Sequence, residues 1–255
     1  MTDMLLEQTL DRLNAMKLFG MAKALREWTE KARDKDISPA DMMGFLTDAE
    51  WVHRENKKLQ LRLTAARFKM SACVEDIDFG HARGLAKSVV MDLASSRWVQ
   101  QNQNVILTGH TGLGKSYLAC ALGQKACRDG FSVIYRRATR LFDELALARA
   151  DGTYPHLLKR FAKARVLVLD DFGLEPLTAQ HRKDLLEILD DRYNLGSTII
   201  TSQLEPKEWH AVIGDPTLAD AICDRLVHNA HRIKLAPSDS MRKSEGLTTR
   251  PKAAK

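Results

Sequence analysis

The strongest constraint on the fold is an eight-residue loop between an apolar run and an amphipathic run. Residues 109–116 read Gly-His-Thr-Gly-Leu-Gly-Lys-Ser and fit the pattern G-x-x-x-x-G-K-[ST]. Residues 105–108 before the loop predict a strand, and residues 115–128 after it predict a helix that Gly130 closes. Such a unit points backbone N–H groups and the positive end of a helix at a phosphate. The sequence therefore predicts an α/β domain that binds a nucleoside triphosphate.

Different residues of this loop are expected to bind the phosphates of ATP and Mg²⁺. The Lys115 ammonium is expected to neutralise charge on the β and γ phosphates, and the Ser116 hydroxyl is expected to bind Mg²⁺. The predicted ATP-binding set is Gly109, His110, Thr111, Gly112, Leu113, Gly114, Lys115, Ser116 and Tyr117.

A second motif supplies two carboxylates. Residues 166–169 are Val-Leu-Val-Leu, which is typical of a parallel strand buried on both faces, and Asp170 and Asp171 follow at once. Ligands of open parallel sheets lie at the carboxyl ends of the strands, which is where both acids would stand. We expect Asp170 to bind Mg²⁺ and Asp171 to orient and deprotonate the attacking water. Together the two motifs predict an ATPase.

From residue 104 onward strands alternate with helices, which indicates βαβ units and a parallel sheet. Five strands are predicted, at residues 105–108, 133–135, 166–169, 198–201 and 232–235. One of them lies between the two motifs along the chain, as in the additional-strand class of P-loop proteins. Residues before 100 give helical signals only. The expected organisation is an all-α N-terminal domain (1–70), a linker and helix (71–103), an ATPase domain (104–246) and a basic, disordered tail (247–255).

Two further polar residues are candidates for a role in ATP hydrolysis, and a structural role is the alternative for each. Ser202 follows the strand at 198–201, where a hydroxyl can hold the attacking water, but a turn-forming serine fits the position equally well. Arg225 lies late in a predicted helix and can serve as an arginine finger toward the γ-phosphate of a neighbouring subunit. The alternative is an intramolecular ion pair with an acid such as Asp220 or Asp224.

Positive charge is concentrated in three parts of a chain whose formal net charge is +6. Residues 51–70 hold six Lys/Arg against one acid, residues 125–165 hold ten against four, and residues 232–255 hold seven against two. This asymmetry suggests a polyanion partner that is contacted by particular faces, although a solvated basic surface explains it as well. The candidate contacts are Arg54, Lys57, Lys58, Arg62, Arg136, Arg137 and Arg140.

Other classes of protein are disfavoured by composition. The sequence contains no stretch of about 20 apolar residues, so no membrane contact is expected, and the first residues do not resemble a secretory signal. The four cysteines lack the spacing of a zinc site. We expect a cytoplasmic protein with reduced thiols.

The motifs together resemble those of AAA+ ATPases of the helicase-loader branch, and more closely those of the IstB family of insertion-sequence transposition helpers. The resemblance covers nearly the whole chain. Besides the phosphate loop, its carriers are residues 66–68, 76–79, 168–173, 191–193, 197–203 and 213–226.

This resemblance implies roles for individual residues. Lys115 and Ser116 match Walker A, Asp170 and Asp171 match Walker B, Ser202 matches the sensor-one position, Arg225 the arginine finger, and Arg242 the sensor-two arginine that contacts ATP. It also implies ATP-driven homo-oligomerisation on duplex DNA, contact with a transposase through the helical N-terminal region, and help in target-site selection. Most AAA+ proteins carry Asp-Glu at Walker B, so Asp171 is one carbon shorter than the usual base.

Two alternatives remain at this point. The DnaC and DnaI proteins, which load replicative helicases, share the same ATPase core, and an adjacent transposase gene would distinguish a transposition helper from a loader. Loaders often carry an N-terminal zinc-binding cluster, whereas residues 1–70 contain no Cys and only His53. A P-loop kinase for a small molecule is the other alternative, and stimulation of ATP turnover by DNA would exclude it.

Overall fold

The computed structural model describes residues 2–31, 38–81 and 83–236. The chain divides into two compact units, Met1–Leu61 and Arg62–Lys255. Arg242 and the tail after residue 246 lie outside the described residues.

The described residues of the first unit form three helices, and the third continues into the second unit. The helices are α1 (Thr2–Ala15), α2 (Phe19–Lys31) and α3 (Pro39–Ala66). The start of α3 follows the predicted pattern, because the Ser38 hydroxyl accepts the Asp41 N–H at 3.1 Å and Pro39 occupies the first turn.

A close approach of α2 to α3 fixes the packing of the first unit. The backbone N–H groups of Gly20 and Met21 donate to the Glu50 carboxylate at 2.7 and 3.2 Å, and Arg54 Nε donates to its other oxygen at 2.7 Å. Burial acts to raise the pKa of Glu50, but the hydrogen bonds from Arg54 and these two N–H groups outweigh it and lower the pKa. A Cβ atom at Gly20 would lie 2.6 Å from the Ala49 carbonyl oxygen, so only glycine fits this crossing.

The second unit contains the predicted alternation of strands and helices. Its strands are β1 (Asn104–Thr108), β2 (Val133–Arg137), β3 (Val166–Phe172), β4 (Ser197–Ser202) and β5 (Ala230–Lys234). Its α-helices are α4 (Lys87–Ala94), α5 (Arg97–Gln100), α6 (Lys115–Arg128), α7 (Ala138–Ala150), α8 (Tyr154–Lys163), α9 (Ala179–Arg192), α10 (Trp209–Ile213) and α11 (Pro216–Val227), and Pro206–Glu208 form a 3₁₀ turn.

The five strands form one parallel sheet in the order β2-β3-β4-β1-β5, which confirms the predicted sheet. The strand that separates β1 from β3 in the sheet is β4, whereas β2, which lies between them along the chain, forms an edge. Residues 166–169 are at most 1% exposed, as expected for a strand covered on both faces.

Alternate side chains of each strand pack against helices on opposite faces of the sheet. Ile106, Leu167 and Ile200 belong to one apolar core with buried residues of α7, α8, α9 and α11. Because successive side chains of a strand point to opposite faces, Val105, Val168 and Ile199 face the other way, and α6 contacts β1 to β4. The sheet is thus flanked by helices, as the sequence predicts.

The end of β3 is irregular in a way that matters for the site. Leu169 pairs with Ile200 and Phe172 pairs with Ser202, so Asp170 and Asp171 together oppose the single residue between those partners. This is a β-bulge, and Asp171 takes the left-handed conformation with φ of 59°. The bulge directs two consecutive carboxylates to the same edge of the sheet.

Among the described helices, none is both long enough and apolar enough to cross a lipid bilayer.

Candidate nucleotide-binding site

The phosphate loop connects β1 to α6 at the carboxyl edge of the sheet. Gly109 has φ of 141°, and a Cβ atom there would lie 2.8 Å from the Leu235 carbonyl oxygen. Gly114 has φ of 84° and caps the first turn of α6, a conformation that favours glycine. The loop therefore presents the amino end of a fourteen-residue helix, where anions are stabilised.

Two polar side chains follow Gly114 directly. The Lys115 ammonium donates to the carbonyl oxygens of Gly109 and His110 at 2.7 and 2.9 Å, so it lies over the loop. The Ser116 hydroxyl donates to Asp170 Oδ1 at 2.8 Å. The two predicted Mg²⁺ ligands are thus neighbours, although they are 54 positions apart in the chain.

Asp170 is fully buried and is held by hydroxyl groups from three different elements. Its Oδ1 atom accepts from Ser116 and, at 2.6 Å, from Thr201, while Oδ2 accepts from the Tyr135 hydroxyl at 2.5 Å. The Lys69 ammonium lies 3.9 Å from Oδ2. Burial and the hydrogen bond to Asp170 raise the pKa of Tyr135, so this phenol stays protonated and acts as a donor.

The residues around Asp170 fit Mg²⁺. A carboxylate and a hydroxyl are the hard oxygen ligands that Mg²⁺ prefers, and it usually completes its shell with phosphate oxygens and water. No cluster of three or more His, Cys, Asp or Glu side chains that could hold a metal ion occurs within the described ranges. Ser116 and Asp170 would hold the ion, and the ion would neutralise phosphate charge.

Asp171 lies beside this site at the bulge. Its N–H donates to the Thr201 hydroxyl at 2.9 Å, and its side chain borders a cavity beside the phosphate loop. The guanidinium of Arg137, at the end of β2, donates to Asp171 Oδ2 at 3.1 Å. The predicted water-orienting carboxylate is therefore within reach of the cavity and is paired with an exposed arginine.

A cavity of about 480 Å³ opens between the phosphate loop and the segment that precedes the sheet. Ligand pockets of proteins fall in this size range. Thr111, Gly112 and residues 114–117 form one wall, and Asp171 and Gln203 lie at the edge of the sheet. The opposite wall contains Lys69, Met70, Asp76, Asp78 and Arg83.

Arg83 joins the two walls of this cavity. It is 2% exposed, and its guanidinium donates to the carbonyl oxygens of Leu113 and Asp78, both at 2.9 Å. The loop at residues 76–80 is thereby fixed to the phosphate loop.

Ser202 takes a different position from its neighbour Thr201. It is the last residue of β4 and is fully buried. Its hydroxyl donates to the Phe172 carbonyl at 2.8 Å and accepts the Leu204 N–H at 3.1 Å. Thr201, which the sequence did not single out, is the β4 residue that contacts both Asp170 and Asp171.

Arg225 lies at the opposite edge of the sheet. The Asn104 amide, at the start of β1, donates to the Arg225 carbonyl at 2.9 Å, whereas the phosphate loop follows the other end of β1. Five residues of strand separate these edges by roughly 16 Å. The Arg225 guanidinium pairs with Asp190 of α9, not with Asp220 or Asp224, and donates to the Ala221 carbonyl at 2.8 Å.

The predicted DNA contacts differ in exposure. Arg54, Lys57 and Lys58 are exposed on α3, and Arg137 at the end of β2 and Arg140 of α7 are also exposed. Arg62 is half-buried, and its Nε donates to the Cys127 carbonyl at 2.9 Å. Arg136 is 7% exposed and its guanidinium binds Glu144 and the Tyr135 carbonyl, so it has no free surface for a DNA phosphate. Arg136 is therefore not proposed as a DNA contact.

Comparison with known proteins identifies the family. A family model described as IstB-like ATP binding protein matches residues 11–249. The chain belongs to this family. The chain is accordingly an ATP-binding protein.

Named relatives share almost the full length of this IstB-like chain. An insertion sequence ATP-binding protein of Sinorhizobium fredii, y4pL, is 50% identical over 242 residues, which are 95% of this chain and 98% of that protein. The insertion sequence IS21 ATP-binding protein of Pseudomonas aeruginosa is 31% identical over 223 residues, which are 88% of this chain and 84% of that protein.

Solved structures confirm the AAA+ fold. The structure of DnaI is similar with a TM-score of 0.57 and 25% identity, covering 65% of this chain and 91% of that one. AMPPCP-bound DnaA from Aquifex aeolicus is similar with a TM-score of 0.59 and 20% identity, covering 72% of this chain and 58% of that one. The second likeness concerns the fold alone.

Proposed function

We propose that this IstB-like protein is an Mg²⁺-dependent ATPase that assembles on duplex DNA and helps the transposase of its insertion sequence to select target sites. The observation that carries the proposal is the combination of a nucleotide site that includes Asp171 with near full-length similarity to insertion-sequence proteins. The reaction would take place in the cytoplasm, where DNA and ATP occur together.

The chemistry assigned to the site is hydrolysis of the γ-phosphate. Lys115 binds the phosphates, and Ser116 and Asp170 hold the ion that neutralises them. Asp171 orients a water molecule and accepts its proton, since its carboxylate borders the cavity beside the phosphate loop. The Arg137 pair partly neutralises Asp171, so hydrolysis in the isolated subunit should be slow.

Arg225 is the residue that would complete the ATP site of a neighbouring subunit. Its position at the far edge of the sheet argues against contact with the nucleotide of its own chain. A neighbouring subunit that places Arg225 against the γ-phosphate would make ATP a link between subunits. Homo-oligomerisation would then require ATP.

Two exposed basic groups support contact with duplex DNA. Arg54, Lys57 and Lys58 recur at helical spacing on α3, and Arg137 and Arg140 are three positions apart where β2 passes into α7. Lysine and arginine side chains that contact phosphates give affinity with strong salt dependence and little base specificity. An assembled row of subunits would repeat these contacts along the backbone.

A helicase loader is the second candidate, and the similarity to DnaI favours it to a limited extent. The relatives that match nearly the whole chain, including its helical first unit, are insertion-sequence proteins. We therefore prefer the transposition role.

Equilibrium DNA binding would test the proposal. Fluorescence anisotropy of a labelled duplex should show affinity that requires ATP and that falls steeply between about 50 and 200 mM salt. Lys115→Ala should not gain affinity for the duplex when ATP is added, because it lacks the ammonium that binds the phosphates. Binding to duplex DNA that needs no nucleotide and ignores salt would contradict the proposed assembly.

A further inference from the structure

The segment between α3 and the loop at residues 76–80 places a lysine beside the ATP site. Lys69 lies three residues after the end of α3, and its ammonium is 3.9 Å from Asp170 Oδ2. It borders the same cavity as Gly114, Lys115 and Ser116. Sequence patterns did not single it out for a role in ATP binding, because it belongs to neither nucleotide motif.

This lysine is held in place by its own segment. The Phe68 ring packs against Gly123 of α6, where a Cβ atom would lie 2.7 Å from the ring. The Gln124 amide of α6 donates to the Met70 carbonyl at 3.0 Å. The backbone at Lys69 is thus fixed to the helix that begins at the phosphate loop.

The ammonium is close to Asp170 but beyond hydrogen-bonding distance from it. Asp170 already accepts hydrogen bonds from Ser116, Thr201 and Tyr135. The Lys69 side chain is 36% exposed and flexible by nature, so a small rotation brings its three N–H donors toward the centre of the cavity. A lysine placed in this way suits a polyphosphate better than a structural ion pair.

We propose that Lys69 is a second cationic contact for the phosphates of ATP, in addition to Lys115. The inference rests on the proposed use of this cavity for ATP and does not depend on hydrolysis, DNA or assembly. Its chemical basis is the charge of the ligand, because one lysine and one Mg²⁺ do not fully balance the four negative charges of ATP. Lys69 would supply a further positive charge from a segment outside the phosphate loop.

Equilibrium binding of ATP to Lys69→Met, without DNA, would test this contact. Loss of a charge-assisted hydrogen bond should weaken ATP binding by about tenfold, both with Mg²⁺ and in EDTA. Lys69→Arg, which keeps the charge, should stay within about threefold of the wild type. Lys125→Met is the matched control, since Lys125 also pairs with an acid, Asp129, but is not among the cavity residues.

Two results distinguish a failure of the Lys69 inference from a failure of the proposed function. If Lys69→Met binds ATP in EDTA as tightly as the wild type does, the inference is wrong and the role of Lys69 is limited to neutralising Asp170. Failure of the wild type itself to bind ATP would instead overturn the proposed function.

If Lys69→Met does not fold, the contact between Lys69 and ATP can be tested on the wild-type protein. Acetic anhydride labelling followed by mass spectrometry should show ATP protecting both Lys69 and Lys115. Protection of Lys115 alone would also overturn the inference.

Discussion

The Arg137 guanidinium lies 3.1 Å from the Asp171 carboxylate, so the end of β2 and the bulge of β3 are joined by an ion pair. The pair connects an exposed basic residue with the carboxylate proposed to orient water. We expect Arg137→Gln to raise the basal rate of ATP hydrolysis by up to about fivefold, because a partly exposed pair contributes about 0.2–1 kcal/mol. Phosphate release under ATP saturation, without DNA, measures this.

Arg140→Gln is the matched control for Arg137→Gln. Both residues are exposed and carry the same charge, but the described contacts pair only Arg137 with Asp171. Arg140→Gln should leave the basal rate unchanged. Equal effects of the two substitutions would show that general charge, and not the ion pair, sets the rate.

Asp171→Asn should separate binding from hydrolysis. The amide keeps the size of the side chain but cannot accept a proton, so turnover should fall by about 10²–10⁴-fold while ATP affinity stays near that of the wild type. Binding by calorimetry and turnover by phosphate release measure the two effects. Asp191→Asn, at an exposed acid of α9, is the control and should change neither. Native turnover by Asp171→Asn would refute the general-base role.

Tyr135→Phe should weaken the response to Mg²⁺. The substitution removes the hydroxyl that donates to Asp170 Oδ2 and leaves a buried carboxylate with one donor fewer. Loss of such a supporting contact typically lowers metal affinity by about 10–100-fold. The Mg²⁺ concentration for half-maximal ATP turnover should therefore rise, and Tyr193→Phe, at an exposed tyrosine, should leave it unchanged. An unaltered Mg²⁺ response would mean that Ser116 and Thr201 alone orient Asp170.

The sequence predicted the parts of the site that are continuous along the chain. The phosphate loop and the pair Asp170 and Asp171 follow strands directly, so local pattern and strand direction place them at one edge. The groups that surround Asp170 come from elsewhere. Tyr135 is 35 positions away and Thr201 is 31, and nothing in their local sequence marks them.

The difference between Thr201 and Ser202 shows why strand ends are difficult to assign from sequence. Adjacent residues of a strand face opposite sides, so an error of one position exchanges a site residue for a structural one. The bulge in β3 adds to this difficulty, since it sets two residues against one and shifts the pairing at the point where the site lies.

Arg225 can be tested by mixing variants. If it acts on the nucleotide of a neighbour, Arg225→Ala should bind ATP normally yet lose most turnover, because an arginine finger contributes about 10³–10⁵-fold. Mixing Arg225→Ala with Lys115→Ala should restore part of the activity, since some interfaces would combine an intact loop with an intact arginine. Asp190→Ala is the control for the intramolecular pair. A matching loss of turnover in Asp190→Ala, without rescue on mixing, would assign Arg225 a purely structural role.

Two glycines of the first unit should respond to the same substitution with opposite signs. At Gly20 a Cβ atom would lie 2.6 and 2.7 Å from backbone atoms of Ala49 and Glu50, so Gly20→Ala should lower the free energy of unfolding of this unit by about 1–3 kcal/mol. At Gly44, inside α3, a Cβ atom meets nothing within 4 Å, and Gly44→Ala should raise that free energy by roughly 0.5–1 kcal/mol. Hydrogen exchange of the amides of α2 and α3 measures both changes. Stabilisation by both substitutions would show that α2 does not cross α3 as closely as the contact at Gly20 requires.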